Sequence, residues 1–354
     1  MNETPLNPES KLLDAVRAIE HSSRRMTVVV NAERQILGTL TDGDVRRHLL
    51  ARGSLEDLAM KAMNPNPITA TQGTASELLI DLMRIHNVVA IPIVSKDLTY
   101  CDLIHLRDLS FQDSEDLPAS SDFDFAVIMA GGEGARLKPL TDKTPKPMLE
   151  LGGVPLLERQ ITRLREAGIH NIYIAVNYLG NVIEEYFKDG SSFNVKIEYI
   201  REKKKYGTAG ALSLLPVRPT KPILVMNGDV YTSINFEALS TFHISESAFA
   251  TVAAVGYTVR IPYGVIRTTG SHVSKIMEKP SEYFLCNAGI YVLSPNALER
   301  IPQQREFNMT DFLILCIDEN LPVSVFPIHE VWADIGTPDE LDKARNDFIR
   351  TERA

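Results

Sequence analysis

Phe125-Ala126-Val127-Ile128-Met129-Ala130-Gly131-Gly132-Glu133-Gly134-Ala135-Arg136-Leu137 decides how this chain folds. Residues 125–129 form a short apolar run of strand length, and it empties into a turn holding Gly131, Gly132 and Gly134. Glycines there let the backbone turn sharply and aim N–H groups at an anion without side chains in the way. Pro139-Leu140-Thr141 and Pro145-Lys146-Pro147-Met148 follow, which leaves Lys146 locked between prolines and Arg136 beside the turn. Fixed cations next to an anion nest suit a triphosphate. The turn is not a Walker A loop, because no Gly-Lys-Ser/Thr follows. The dinucleotide fingerprint fails too, since Leu137 stands at its third glycine position and prolines come next in place of a helix.

Downstream, strands alternate with helices. Residues 156–165 place Leu157, Ile161 and Leu164 on one helical face, and Gly168 is able to stop that helix. Strands are predicted at 172–176, 196–200 and 223–226, with helices near 182–187 and 209–215. Repeated βαβ units imply a parallel sheet whose ligands bind beyond the carboxyl ends of the strands. Asn227-Gly228-Asp229 follows one of those strands, so its carboxylate emerges at that edge, as a turn former or as a metal ligand. Much later, Trp332-Ala333-Asp334-Ile335-Gly336-Thr337-Pro338 supplies a second carboxylate before a helix capped by Thr337, with Pro338 first and Glu340 third.

Composition narrows the function classes. At about 150 residues per domain, 354 residues give two or three domains, and 44% apolar content supports real cores. The longest nearly unbroken apolar stretch, 248–255, is far short of the roughly 20 residues that span a bilayer. The N-terminus lacks a basic start and an apolar h-region, so secretion is not expected. Cys101, Cys286 and Cys316 are odd in number and far apart, which fits a reduced cytoplasm. A net charge of -9 argues against a nucleic-acid groove. None of the eight histidines lies within metal-ligand spacing of another.

Sliding the first hundred residues against themselves at a shift of 64 brings out an internal repeat. Val28-Val29-Val30 falls on Pro92-Ile93-Val94, Ile36 on Tyr100, and Asp44 on Asp108. Each copy reads as an amphipathic helix (11–20; 75–85), a strand, a turn, a second strand and a closing helix, the second copy opening on a Thr74-x-x-Glu77 capping box. Residues 110–124 have few large apolar side chains and read as a linker. The expected domains are 1–112 and 125–354, joined by a linker at 113–124.

Gly38-Thr39-Leu40-Thr41-Asp42-Gly43-Asp44 resembles the strand-to-helix signature of a CBS domain, and the two copies resemble a tandem CBS module of βαββα type. The resemblance implies an adenine nucleotide held by Thr41 and Asp44. In the second copy Asp102 replaces the glycine and His105 the threonine, so only Asp108 keeps the pattern. Ligand sensing and a purely structural dimerisation module both fit, and such pairs imply a homo-oligomer.

The glycine turn and the motifs after it resemble the sugar-phosphate nucleotidylyltransferases, which join a nucleoside triphosphate to a sugar 1-phosphate and release pyrophosphate. The resemblance runs from Phe125 almost to the C-terminus and implies an α/β, Rossmann-like domain with a mainly parallel sheet. By that likeness Ala130, Gly131, Gly132 and Gly134 wrap the nucleotide, Arg136 holds its β and γ phosphates, and Lys146 stabilises the transferring phosphoryl group. Gly207 and Thr208, in Gly207-Thr208-Ala209-Gly210, lie against base and sugar, and Glu202 reads the base edge. A carboxylate accepts but cannot donate, and guanine offers two adjacent donors, which favours GTP. Asp229 and Asp334 hold Mg²⁺. Gly264, Glu278, Asn287 and Gly289 face the sugar, and Lys279 neutralises its phosphate. A CBS pair ahead of such a domain resembles the bacterial guanylyltransferases that act on glucosamine 1-phosphate. Mannose 1-phosphate guanylyltransferases are near relatives, and another hexose 1-phosphate with UTP or CTP is the remaining enzyme reading. The contrasting class is a nucleotide-sensing protein with an inactive transferase half. A cytoplasmic enzyme without nucleic-acid or membrane partners is expected.

Overall fold

The computed structural model describes residues 4–22, 24–86, 88–109 and 121–351. The linker expected at 110–124 lies outside the described residues as far as 120. The chain divides into two compact units, Met1–Glu115 and Asp116–Ala354.

In the first unit, helix α1 (Leu12–His21), strands β1 (Met26–Val30) and β2 (Ile36–Thr41) and helix α2 (Asp42–Leu50) make one copy of the repeat. A two-residue strand β3 (Ala70–Thr71), helix α3 (Ser76–Ile85), strands β4 (Ala90–Val94) and β5 (Tyr100–His105) and helix α4 (Leu106–Leu109) make the other. The shift of 64 holds at the level of hydrogen bonding. Met26 pairs with Thr41 as Ala90 pairs with His105, and both hairpins are irregular one residue before their last pair. Each copy has its own core, around Leu12, Val29 and Leu40 and around Leu79, Met83 and Ile91. A third cluster, with Val28, Val30, Tyr100 and Leu103, draws on both hairpins. The Thr74–Glu77 capping box is not formed. Helix α3 starts after Ala75 with no side-chain cap, because the Thr74 hydroxyl donates to Thr71 O in the preceding turn at 2.7 Å.

The second unit is built on a seven-stranded sheet. Strands β6 (Ala126–Met129), β7 (Glu150–Leu151) and β8 (Val154–Pro155), helix α5 (Leu156–Glu166), strand β9 (Asn171–Val176), helix α6 (Gly180–Phe187) and strand β10 (Lys196–Arg201) come first. Helix α7 (Gly207–Gly210), strands β11 (Ile223–Asn227) and β12 (Val230–Thr232) and helix α8 (Phe236–Ser245) follow. The chain ends with strands β13 (Ala250–Arg260), β14 (Val265–Thr269), β15 (His272–Met277) and β16 (Ser281–Leu293), helix α9 (Met309–Asp318), strands β17 (Val323–Ile328) and β18 (Trp332–Asp334), and helix α10 (Pro338–Thr351). The sheet order is β10-β9-β6-β11-β16-β13-β17. Only β16 runs against its neighbours, so the sheet is mainly parallel. Two apolar layers cover it, one through Leu157, Ile161 and Phe187, the other through Phe125, Leu212 and Phe312. The helix expected at 209–215 is instead the short α7 followed by a 3₁₀ turn at Ala211–Leu214. No helix of the described residues is long and apolar enough to cross a membrane.

Candidate active site

From β6 the chain crosses to β9 and β10 on one side and returns to β11 on the other. Between β6 and β11 the strand order reverses, which opens a crevice at the carboxyl ends. Met129 and Asn227 are in register there. The Gly228 N–H donates to Met129 O at 2.8 Å, and a Cβ on Gly228 would sit 2.8 Å from that oxygen and 3.1 Å from Pro147 Cγ. Glycine is what allows the Asp229 turn to press against the end of β6 and Pro147.

A small antiparallel ribbon brings in the second carboxylate. β12 pairs with β18, Val230 opposite Asp334, and the Ile335 N–H donates to Asp229 O at 3.1 Å. Beneath it, Leu137, Leu149, Leu151, Leu156, Ile335 and Leu341 form a separate apolar cluster that fixes the loop to the start of α10. Lys146, on a 3₁₀ turn and buried, reaches into this corner. Its Nζ pairs with Asp229 Oδ2 and lies 3.8 Å from Asp334 Oδ1. Burial and the neighbouring Asp229 charge raise the Asp334 pKa, while Lys146 and Arg136 oppose that rise. The Arg136 guanidinium lies over Gly336, whose Cβ would be 3.2 Å from Nη2. Helix α10 carries the expected cap, with Glu340 accepting from the Thr337 hydroxyl and the Gly336 N–H.

Asp334 Oδ1 is buried and has no hydrogen-bond partner among the described residues. An orphaned carboxylate oxygen beside a second carboxylate fits a hard divalent cation, which takes oxygen donors and keeps phosphate oxygens and water in its other positions. Asp229 and Asp334 are the residues that would hold it.

Across the loop, a Cβ on Gly131 would lie 2.7 Å from Glu202 Oε1 and 3.2 Å from Asn177 Cβ. The other carboxylate oxygen, Oε2, accepts from the Tyr206 N–H at 3.1 Å. Burial raises the Glu202 pKa and this bond lowers it. Gly134 has φ +61°, and a Cβ there would meet Thr141 Cγ2 at 2.9 Å and Lys146 Cβ at 3.1 Å.

The segment from Gly207 to Gly210 has a protein neighbour of its own. The Ala209 and Gly210 N–H groups donate to Phe307 O at 3.0 and 2.8 Å, and Thr208 Oγ1 accepts from the Met309 N–H at 2.9 Å. Cβ atoms on Gly207 and Gly210 would fall 2.7 Å from Phe307 O and 2.6 Å from Arg305 O. These two glycines are therefore accounted for by packing on residues 305–309.

At the turn preceding the end of β16, Gly289 (φ +70°) lies against Asn227, with its Cβ position 2.6 Å from Asn227 Nδ2, and its N–H donates to Asn287 Oδ1 at 2.9 Å. Trp332 Nε1 donates to Ala288 O at 2.9 Å, tying this turn to β18. Gly264 and Glu278 are neighbours, 3.2 Å from the Gly264 Cβ position to Oε2. Lys279 stands in the turn before β16 with φ +43°. Glu278 and Lys279 are exposed and make no ion pair among the described residues, so the structure does not join them to the two carboxylates.

In the N-terminal unit, Thr41 and Asp44 meet in a capping box at the start of α2. Asp44 Oδ2 accepts from the Thr41 N–H (2.8 Å) and hydroxyl (2.6 Å), and Oδ1 pairs with Arg47. Asp44 is buried. In the second copy the His105 N–H donates to Asp108 Oδ2 at 2.9 Å, and Arg24 pairs with both Asp102 and Asp108.

Asn177 belongs to no motif of the sequence, and Asn227 enters only as the first residue of Asn227-Gly228-Asp229. Their signal was position, each standing at the carboxyl end of a parallel strand.

The CBS domain family model matches residues 2–51 and the nucleotidyl transferase model residues 125–351. Mannose-1-phosphate guanylyltransferase of Mycobacterium tuberculosis is 32% identical over 233 residues, 64% of each chain. Mannose-1-phosphate guanyltransferase of Aspergillus oryzae is 34% identical over 225 residues, 61% of each. The chain thus spans less than two thirds of the length of these curated relatives. A solved Bacillus anthracis protein, assigned as a glucose-1-phosphate thymidylyltransferase and bound to sucrose, aligns at TM-score 0.51 with 24% identity, covering 63% of this chain and 94% of its own, a likeness of fold. With the nucleotidyl transferase model matched over residues 125–351, well over half of its length, the chain belongs to the nucleotidyl transferase family.

Proposed function

We propose that the chain transfers a nucleotidyl group from a nucleoside triphosphate to a sugar 1-phosphate, giving a nucleoside diphosphate sugar and pyrophosphate. The observation that carries this reading is the convergence of Lys146, Asp229 and Asp334 beside the glycine turn. A sugar-phosphate oxygen attacks the α-phosphorus in line. A P–O bond forms as the α–β bridging bond breaks, and its electron pair leaves with pyrophosphate. The nucleophile is already anionic, so the protein's tasks are to offset repulsion and fix alignment. Lys146 stabilises charge on the transferring group, and Arg136 receives the β and γ phosphates. Gly131 and Glu202 seat the base, and Asn287 and Gly289 seat the sugar beside Glu278 and Lys279. Asp229 and Asp334 would hold a divalent cation, Mg²⁺ by the hardness of the donors, which would supply further charge neutralisation.

GTP is the proposed nucleotide. Glu202 presents an acceptor at Gly131, and the relatives are named as guanylyltransferases. Glucosamine 1-phosphate is the proposed sugar, by resemblance to CBS-linked guanylyltransferases rather than by any residue that reads it, and the relatives' names favour mannose 1-phosphate as the alternative. Pyrophosphate release across GTP, UTP, CTP and dTTP paired with both sugar phosphates tests the reading. Release from GTP and one of the two is expected, and no release from any pair overturns it. At Thr41 and Asp44 an adenine nucleotide would have to displace the Thr41 hydroxyl from Asp44. Isothermal titration with ATP, AMP and ADP tests that role.

A further inference from the structure

Gln160 lies on the buried face of α5 at 4% exposure, between Leu157, Ile161 and Leu164. Its Nε2 is 2.9 Å from Asn227 O and 2.6 Å from Val230 O, the two carbonyls that bracket the Gly228-Asp229 turn. Both neighbours are acceptors, so the amide nitrogen must face them. Oε1 is buried and has no hydrogen-bond donor among the described residues. A buried acceptor left unmade is unfavourable, so packing alone would favour an apolar side chain here. What the amide does instead is tie both ends of the turn. Val230 stands opposite Asp334 in the β12–β18 ribbon, and Asn227 packs on Gly289. One side chain therefore holds the element that presents Asp229, its link to Asp334, and the residue that touches Gly289.

From this geometry we infer that Gln160 is a positioning residue for the divalent-cation site, acting through the backbone of residues 227–230 to fix the Asp229 carboxylate beside Asp334. The inference rests on the proposed function only in placing a cation and a nucleotide at these carboxylates. Residues that orient metal ligands typically change metal affinity by about 10–100-fold when replaced.

The test is equilibrium Mn²⁺ binding in the presence of GTP, read by electron paramagnetic resonance of the free ion. Gln160→Met keeps length and volume and removes both donors together with the orphaned acceptor. Mn²⁺ affinity is expected to fall by about 10–100-fold in a variant that still folds, with a lowered thermal midpoint because the Asn227 and Val230 carbonyls lose their shared donor. An affinity within about twofold of the parent in the folded variant overturns the inference, because a purely structural role would leave the ion's affinity unchanged. Gln160→Glu gives a second readout. Its ionised carboxylate faces two carbonyls with no donor, whereas the protonated form regains one. The ratio of variant to parent affinity should therefore rise as pH is lowered, and a flat, unchanged ratio overturns the assignment. Parent protein that binds Mn²⁺ and GTP without releasing pyrophosphate would remove the proposed reaction and leave Gln160 to be decided by the binding comparison.

Discussion

Lys146 is a buried cation whose position is set by three neighbours, the prolines on either side and the Gly134 backbone that its Cβ abuts. Between Asp229 and Asp334 it balances two carboxylates that would otherwise repel. Lys146→Ala removes a preorganised donor, which typically costs about 3–4 kcal/mol in the barrier, so turnover should fall by roughly 10²–10³-fold with the far-ultraviolet spectrum unchanged. A rate within a few-fold of the parent would refute the role. Glu202 is held differently. With Oε2 committed to the Tyr206 N–H and Oε1 turned to Gly131, it offers acceptors only. In Glu202→Gln the amide oxygen can keep the Tyr206 bond and leave an NH₂ facing the base. Hydrogen bonds to a charged group are worth about 1.5–3 kcal/mol, so the ratio of kcat/KM for GTP over UTP should drop by about 10–100-fold. Because burial raises the Glu202 pKa, the proposed preference for GTP should weaken on the acid side at a higher pH than an ordinary carboxylate would dictate.

At the scale of elements, the glycine turn sets where the cations stand. Gly134→Ala forces a Cβ onto a left-handed residue, a conformation costing L residues about 1–2 kcal/mol, and drives it to 2.9 Å from Thr141 and 3.1 Å from Lys146. A lowered thermal midpoint and at least a tenfold loss of kcat/KM are expected. Gly132 has open space at its Cβ position, so Gly132→Ala should leave the melting curve near the parent's and isolate the steric effect. The helix expected at 209–215 is a short α7 and a 3₁₀ turn. With that exception, most of the strand and helix run from 125 to 227 could be read from the sequence, because apolar runs and helical faces are local signals. So was the cap of α10, since its Thr337 and Glu340 are neighbours along the chain. The β12–β18 ribbon was not legible, as three-residue strands carry no periodicity and their pairing is entirely non-local. The packing of Gly207 and Gly210 on residues 305–309 was hidden for the same reason. Gln160 had no signal at all, being a polar residue on a helix whose apolar face was correctly found. Thr74 and Glu77 have the spacing of a cap, yet a competing turn carbonyl took the hydroxyl.

For the whole molecule, the repeat and the α/β half are separable problems, each with its own cores, and the chain holds one tryptophan. Trp332 lies in the second unit, bonded to Ala288 O, so its emission reports that unit without interference from the first. The same unit holds a buried proton switch in His243. Ser294 Oγ donates to Ala248 O, which leaves it to accept from His243 Nε2 at 3.1 Å, and Nδ1 at 2.8 Å must then accept from the Thr251 hydroxyl. The ring is neutral, and burial lowers its pKa from 6.5 to about 4. A histidine with a depressed folded pKa contributes stability that is fully present above its unfolded value. It is lost progressively as pH falls from about 6.5 to about 4, since the unfolded chain takes the proton first. At about 1.4 kcal/mol per unit, the loss amounts to roughly 3 kcal/mol. Urea unfolding followed by Trp332 emission should show that decline in the parent, in excess of the decline in His243→Gln, which has no imidazole to protonate. The variant should be less stable at neutral pH and should converge on the parent near pH 4. Parallel curves across the whole interval would mean that the imidazole is hydrated in the fold and that the packing of α8 on Thr251 and Ser294 does not exclude water.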